Sequence, residues 1–431
     1  MPFEALANTP KRIAVIGAGI SGMGAAYLLS KNHKVSLFEA EGRLGGHART
    51  VIAGKRGDQP VDTGFIVFNK MNYPHLTQLF QDLDVPIAPS RMSFGASIDG
   101  GKLEYGLASI DTVFAQRRNI GRPSFLRMLR DIVKFNAKAT SVAKNPDISI
   151  AELLDGLGTG SWFRDKYLLP FTGAIWSTPR EDMVDFPAQA LIRFMKNHAL
   201  LGYHGQHQWF TVQGGSVQYV SRLEAKMRSQ GVSIFMGAPI ASVTRIGGKV
   251  QVTPKGGIAQ EFDDVVFATH SDDTLSLLAD ASQHETATLG AVRYQPNAAV
   301  LHADTSMMPR RRKVWSSWVY CEARAKTSNK IDLTYWMNSL QPIPHEDPLF
   351  VTLNSTRPIR EDLIHDEVTF RHPVYDLAAL KAQDKIAATN GTNNTWFCGA
   401  WMKNGFHEDG FSSAVDVADA IASMARKPAA A

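Results

Sequence analysis

Cysteine is nearly absent: Cys321 and Cys398 are the only two in 431 residues. That excludes a disulfide-stapled scaffold and fits a reducing compartment. Both lie in apolar runs, where a buried structural thiol is expected. There is no CxxC pair for thiol chemistry and no His/Cys/carboxylate cluster with metal-ligand spacing, so no metal is expected. Long hydrophobic runs are also missing. No window approaches the roughly 18 apolar residues of a spanning helix. The opening "MPFEALANTP" carries Glu4 and lacks the apolar core of a secretory signal. A cytoplasmic protein is expected, with no internal repeat and no low-complexity block. The charge excess is only +5, so charge matters only where it clusters.

What is present is ordinary for a globular enzyme, with 44% apolar and 20% charged residues. The length exceeds one simple core and suggests two interleaved domains. Near the start, "IAVIG" (13–17) is a β-branched run suited to a strand buried on both faces of a parallel sheet. It feeds Gly17-x-Gly19-x-x-Gly22, then "MGAAYLLSK" at helical spacing, then "KVSLFEA", which ends in Glu39 and Ala40. This is a complete βαβ unit with a dinucleotide fingerprint. Gly17 makes the tight turn, Gly19 admits a diphosphate, and Gly22 lets helix and strand pack. The amides of Ile20 and Ser21 open the helix, and Glu39 accepts from a ribose.

The residues after the acid separate NAD from FAD. "EAEGRLGGHART" places Arg43, Gly45, Gly46, His47 and Arg49 behind Glu39. This resembles the second flavin signature of the flavin amine oxidase and carotenoid desaturase superfamily, with His47 where amine oxidases usually carry arginine. "VDTGFIVFN" resembles the segment beside the flavin ring, with Gly64, Phe65 and Ile66. "GGSVQYVSRL" resembles the return to the flavin domain. "GAPIASVTRIGGKVQVTPKGG" reads as a hairpin in which Ile240 meets the adenine, and "FDDVVFATH" resembles a strand ending at the cofactor. "TWFCGAWMKNGFHEDGFSSAVDVADAIASM" reads as strand, loop and helix, with Gly399, Ala400, Phe406, His407, Gly410 and Phe411 on the flavin. Many relatives carry an acid where Ala400 stands. A backbone group, Glu408 or Asp409 replaces that contact.

The resemblance implies non-covalent FAD and an α/β fold. It comprises a Rossmann-type FAD-binding domain from three segments (1–75, 210–290 and 390–431) and an α+β substrate domain (76–209 and 291–389). In the latter, 76–209 reads mainly helical, with breakers at "PDIS" and "GLGTG". Strand compositions within 295–355 suggest an antiparallel sheet under a helical lid. The tail "ARKPAAA" is expected to fray.

Residues 117–144 hold Arg117, Arg118, Arg122, Arg127, Arg130, Lys134, Lys138 and Lys144 against one acid, Asp131. Phe125, Met128, Leu129, Ile132 and Val133 recur at helical spacing. The basic amphipathic pattern suits an anionic membrane surface at the inner membrane face; the alternative is a surface helix packed on the lid. "PRRRK" (309–313) adds a second basic cluster. No aromatic-interleaved platform accompanies the charge, so nucleic acid is not expected.

His407, Glu408 and Asp409 are the acid–base candidates, with helix capping as the competing role. Phe406 and Trp401 are the candidate rings of an aromatic amine cage, and Trp176 and Trp209 are core or substrate wall. For His372 a local turn is expected. No second dinucleotide fingerprint exists, so electrons pass to oxygen, a quinone or another protein. More specifically, "LPFTGAIWSTP", "TYWMNSLQ" and "GFHEDG" resemble bacterial amine-oxidase-like flavoproteins associated with modified fatty acids. That implies an acyl-lipid desaturase, methyl-branched chains included. An amine oxidase, a redox-neutral double-bond isomerase and a non-catalytic lipid sensor are the alternatives.

Overall fold

The computed structural model describes residues 10–143, 145, 148–176, 183–202, 205–324 and 332–424. Lys144, the end of "LPFTGAIWSTP" and the C-terminal tail lie outside them.

The apolar run at the start becomes the strand Arg12–Ile16, with Ile13 to Ile16 buried. It lies at the middle of a five-stranded parallel sheet, flanked by Lys34–Phe38 and Asp264–Phe267, with Ser233–Phe235 and Thr395–Phe397 at the edges. Strands from three distant stretches of chain therefore make one sheet. Six helices matter for the site: α1 (Ile20–Leu29), α2 (Pro74–Asp82), α3 (Pro123–Val142), α4 (Ala188–Asn197), α5 (Val217–Ser229) and α6 (His407–Met424). Both α1 and α6 pack in the cluster of Met23, Leu29, Phe411 and Val417 beside the parallel sheet. The strands Ile240–Ile246 and Lys249–Pro254 form the expected hairpin, turning at Gly247 and Gly248.

The second sheet has seven strands. The strand-like runs of 295–355 supply Arg293–His302, Trp318–Cys321, Leu333–Trp336 and Phe350–Leu353. Three findings differ from expectation. Residues 87–106, expected to be helical, hold the strands Ile87–Ser90, Phe94–Ile98 and Leu103–Gly106. Phe94–Ile98 pairs parallel with Trp318–Cys321, so this sheet is mixed rather than purely antiparallel. His372 lies inside the strand Ile364–Val374, not in a turn. The expected breakers act as helix punctuation: Ser149 caps the helix Ile150–Leu157 through a capping box with Glu152, and Gly158 ends it at φ +58°.

The lid helix α3 turns its apolar stripe inward. Phe125, Met128, Ile132, Phe135 and Ala139 are buried in the large cluster shared with the sheet. Asp131 is buried too, accepting from Gly160 N at 2.9 Å and pairing with Arg130. Val133, counted in the stripe, faces outward instead. No helix among the described residues is long and apolar enough to cross a membrane.

Candidate functional site

The glycine loop lies at the carboxyl end of the parallel sheet, where an open α/β sheet has its crevice. Two of its glycines answer to the protein's own packing. Gly17 has φ +94°, and a Cβ on Gly22 would stand 1.8 Å from the Gly17 carbonyl oxygen. Gly19 differs: a Cβ there would meet nothing within 4 Å. It borders open space at the start of α1, whose N-cap has no side-chain hydrogen bond and whose first turn has no acid. The free amides of Ile20, Ser21 and Gly22 and the helix dipole are therefore unopposed there.

Glu39 closes one side. Its carboxylate accepts from Ala18 N at 2.7 Å and Glu41 N at 2.8 Å, which fixes it with lone pairs to spare for a diol. Ala238 N donates to the Glu39 carbonyl at 2.8 Å, which brings Ile240 close to Glu39 and exposed Ala40. Gly45 N donates to Ala18 O at 2.8 Å, and Gly46 packs on Gly19. Arg43 clamps this loop, donating to Gly46 O at 2.9 Å and Ala48 O at 3.2 Å. Arg49 grips Asp366 of the seven-stranded sheet at 2.5 and 3.0 Å.

His47 is stacked against Phe370 at 5.0 Å, with His270 and His372 at 5.8 and 5.7 Å. Its Nε2 is buried with no partner, and burial lowers its pKa. A Cβ on Gly64 would lie 1.9 Å from the His47 carbonyl oxygen, while Phe65 N donates to that oxygen at 2.9 Å. Gly64, Phe65 and Ile66 thus run along the glycine-pair loop.

The C-terminal segment meets the same place. A Cβ on Gly410 would stand 2.8 Å from Ile20 Cγ2 and 2.9 Å from Ser21 Oγ, so the starts of α1 and α6 touch. Phe411 wedges under Gly24, and Gly399 N donates to Ser413 Oγ at 2.9 Å just before Ala400. His407 stacks on Phe65 at 3.9 Å, and its Nε2 is 2.6 Å from the Tyr219 hydroxyl. Burial pushes its pKa down to about 3, so it is neutral at physiological pH. Glu408 accepts from His75 N at 3.0 Å and Leu76 N at 2.8 Å; it caps α2, whose own N-cap Tyr73 offers nothing. Asp409 accepts from Phe406 N at 2.9 Å and Asn404 Nδ2 at 3.4 Å, and burial pushes its pKa up to about 6. Both carboxylates at the start of α6 are therefore engaged with backbone amides, and neither is free to replace the acid missing at Ala400.

A cavity of about 320 Å³ opens beside them, walled by Tyr73, Arg193, Phe194, His198, Phe406 and Asp409. Phe406 lies flat on Phe194, with centroids 5.0 Å apart and planes at 17°. Trp401, the other expected cage ring, is buried elsewhere and donates Nε1 to Thr269 O at 3.0 Å. Trp176 is core, packed on Phe186 and Phe194. Both cysteine thiols are buried, which pushes each pKa up to about 12.

Residues 20–303 match the family model for flavin containing amine oxidoreductases, more than half of the chain. The chain belongs to the flavin-containing amine oxidoreductase family. Protoporphyrinogen oxidase 2 of Arabidopsis thaliana is 56% identical over 43 residues, 10% of this chain and only 8% of that protein. Two solved structures share the fold almost end to end. The CLA-producing fatty acid isomerase from P. acnes matches at TM-score 0.68 and 14% identity, covering 97% of this chain and 99% of that one. Cyclohexylamine oxidase from Brevibacterium oxydans matches at 0.69 and 15%, covering 97% and 100%.

Membership of this amine oxidoreductase family implies a flavin cofactor, and the residues present fit one. The open face of Gly19, the unopposed start of α1 and the orphaned His47 Nε2 are features that the protein alone does not explain. Tyr219 and His270 were not among the site residues expected from the sequence. Only the position of His270, at the end of "FDDVVFATH", carried a signal. His270, Asp272 and Asp273 lie close enough to share a cation, but Arg371 already pairs with both carboxylates.

Proposed function

We propose that the chain is an FAD-dependent oxidoreductase that dehydrogenates a fatty acyl chain of a membrane lipid, methyl-branched chains included. Non-covalent FAD supplies a two-electron acceptor for a hydride. The amides of Ile20 to Gly22 and the Gly45–Gly46 loop hold the diphosphate, Glu39 accepts from the ribose, and Ile240 borders the adenine. The start of α6, with Phe406, Gly410 and Phe411, faces the flavin ring. The aromatic wall orients the chain against the ring. Glu408 and Asp409 hold backbone amides and His407 is tied to Tyr219, so the second hydrogen leaves as a proton to water.

One observation speaks against an amine: Trp401, the second ring that an amine cage would need beside Phe406, is buried and tied to Thr269 O. The fold is shared equally with a fatty acid isomerase and an amine oxidase; isomerisation is the second reading. Anaerobic mixing of the FAD-loaded protein with lipids and with amines tests this. Bleaching of the flavin by lipid alone is expected. Bleaching by amines alone overturns the proposal, and double-bond migration without net bleaching selects the isomerase.

A further inference from the structure

The inner face of the seven-stranded sheet is apolar around Ala299, Leu301, Val351 and Phe370, yet a chain of amides crosses it. Asn354 sits at φ +49° at the end of a strand, and its Oδ1 accepts from the Ala298 amide at 3.1 Å. A backbone N–H can only donate, so this contact fixes which way the Asn354 amide points. Its Nδ2 then donates to Asn297 Oδ1 at 2.7 Å. The Asn297 amide is fixed in turn, and its Nδ2 donates to His372 Nδ1 at 2.8 Å. An imidazole that accepts at Nδ1 carries its hydrogen on Nε2.

That Nε2–H has no protein acceptor among the described residues. His372 is 5.7 Å from the His47 ring, whose Nε2 is also unpartnered. Both lie where the substrate sheet meets the Gly45–His47 loop. Unlike His47 Nε2, His372 Nε2 is not among the buried unpartnered atoms: the relay ends in a donor that keeps access to open space, where an acceptor on a ligand can meet it.

Resting on the flavin reading above, we infer that Asn354 and Asn297 are positioning residues that hold His372 as a neutral hydrogen-bond donor to the bound flavin ring. Burial, and then the charges of His47 and His270, push the His372 pKa down to about 3, so the group donates without becoming a cation. A donor to the ring favours the electron-rich reduced form, and the relay sets how readily the flavin is reduced.

The test needs no substrate. FAD-loaded wild type, His372→Leu, His372→Gln and Asn297→Leu are compared by oxidised-flavin absorption and midpoint potential. His372→Leu should lower the potential and shift the spectrum; His372→Gln should restore much of both, and Asn297→Leu should fall between. Imidazole ¹⁵N shifts of the unsubstituted protein should show His372 protonated at Nε2, a result that depends on no variant folding. A His372→Leu protein with wild-type melting temperature, spectrum and potential overturns the inference, as does a hydrogen found on Nδ1. A protein that binds no FAD sinks the functional proposal itself; one that binds FAD with an indifferent His372 sinks this inference alone.

Discussion

At the scale of single residues, the site separates glycines that serve the fold from one that serves a ligand. Gly19 has room for a side chain in the bare protein, so Gly19→Val should fold normally yet lose flavin. Equal melting temperatures without FAD, with flavin absorbance gone after desalting, are the expected result. His407 gives a pH test. Its pKa falls from about 6.5 unfolded to about 3 folded, so the unfolded chain binds more protons and stability is lost as pH drops below 6.5. His407→Phe keeps the stacking on Phe65 and removes this linkage. Denaturation of the FAD-free proteins between pH 6.5 and 5 should give the variant a shallower loss, by about 1.6 kcal/mol over that window. The glycine fingerprint and Glu39 were legible because one βαβ unit holds all of them within 28 residues. The roles of Glu408 and His372 were not: their partners His75, Leu76 and Asn297 lie far away in sequence, and nothing local marks the pairing.

At the scale of elements, α3 shows one of the two placements left open by the sequence, its apolar stripe packed inward. The stripe Phe125–Met128–Ile132 is real and lies in the cluster shared with the seven-stranded sheet. What remains outside is Leu126 and Val133, 44% and 55% exposed, among Arg127, Arg130 and Lys138. Ile110 and Ile120 are exposed too, at 80% and 55%. Asp111 pairs with both Arg117 and Lys313, so the two basic clusters meet. We propose that this face rests on anionic lipid by charge and shallow anchors. Arg118, Arg122, Arg127 and Arg130 changed together to glutamate should abolish co-sedimentation with phosphatidylglycerol vesicles at low salt; unchanged binding refutes the proposal. The strands at 87–106 escaped the sequence analysis because each is only four or five residues long, too short for an alternation to stand out.

At the scale of the whole molecule, the cradle draws on residues 17–66, 240 and 399–411, and Arg49 ties it to the second sheet through Asp366. Ligand binding should therefore stabilise both lobes as one unit. At FAD concentrations 100 times Kd, the gain should be about 2.7 kcal/mol, seen in calorimetry as one transition moving upward. Two transitions of which only one moves would contradict this coupling. The resemblance to a flavoprotein family made the three-segment sheet legible in advance, because its motifs recur along the chain. The parallel pairing of Phe94–Ile98 with Trp318–Cys321 was hidden, since no local pattern announces a partner more than 200 residues away.

The edge strand Thr395–Phe397 and the start of α6 complete a pocket begun by residue 17. A polypeptide cut short before residue 395 would keep its glycine loop yet lack the facing wall, so truncation there should leave the loop open on one side.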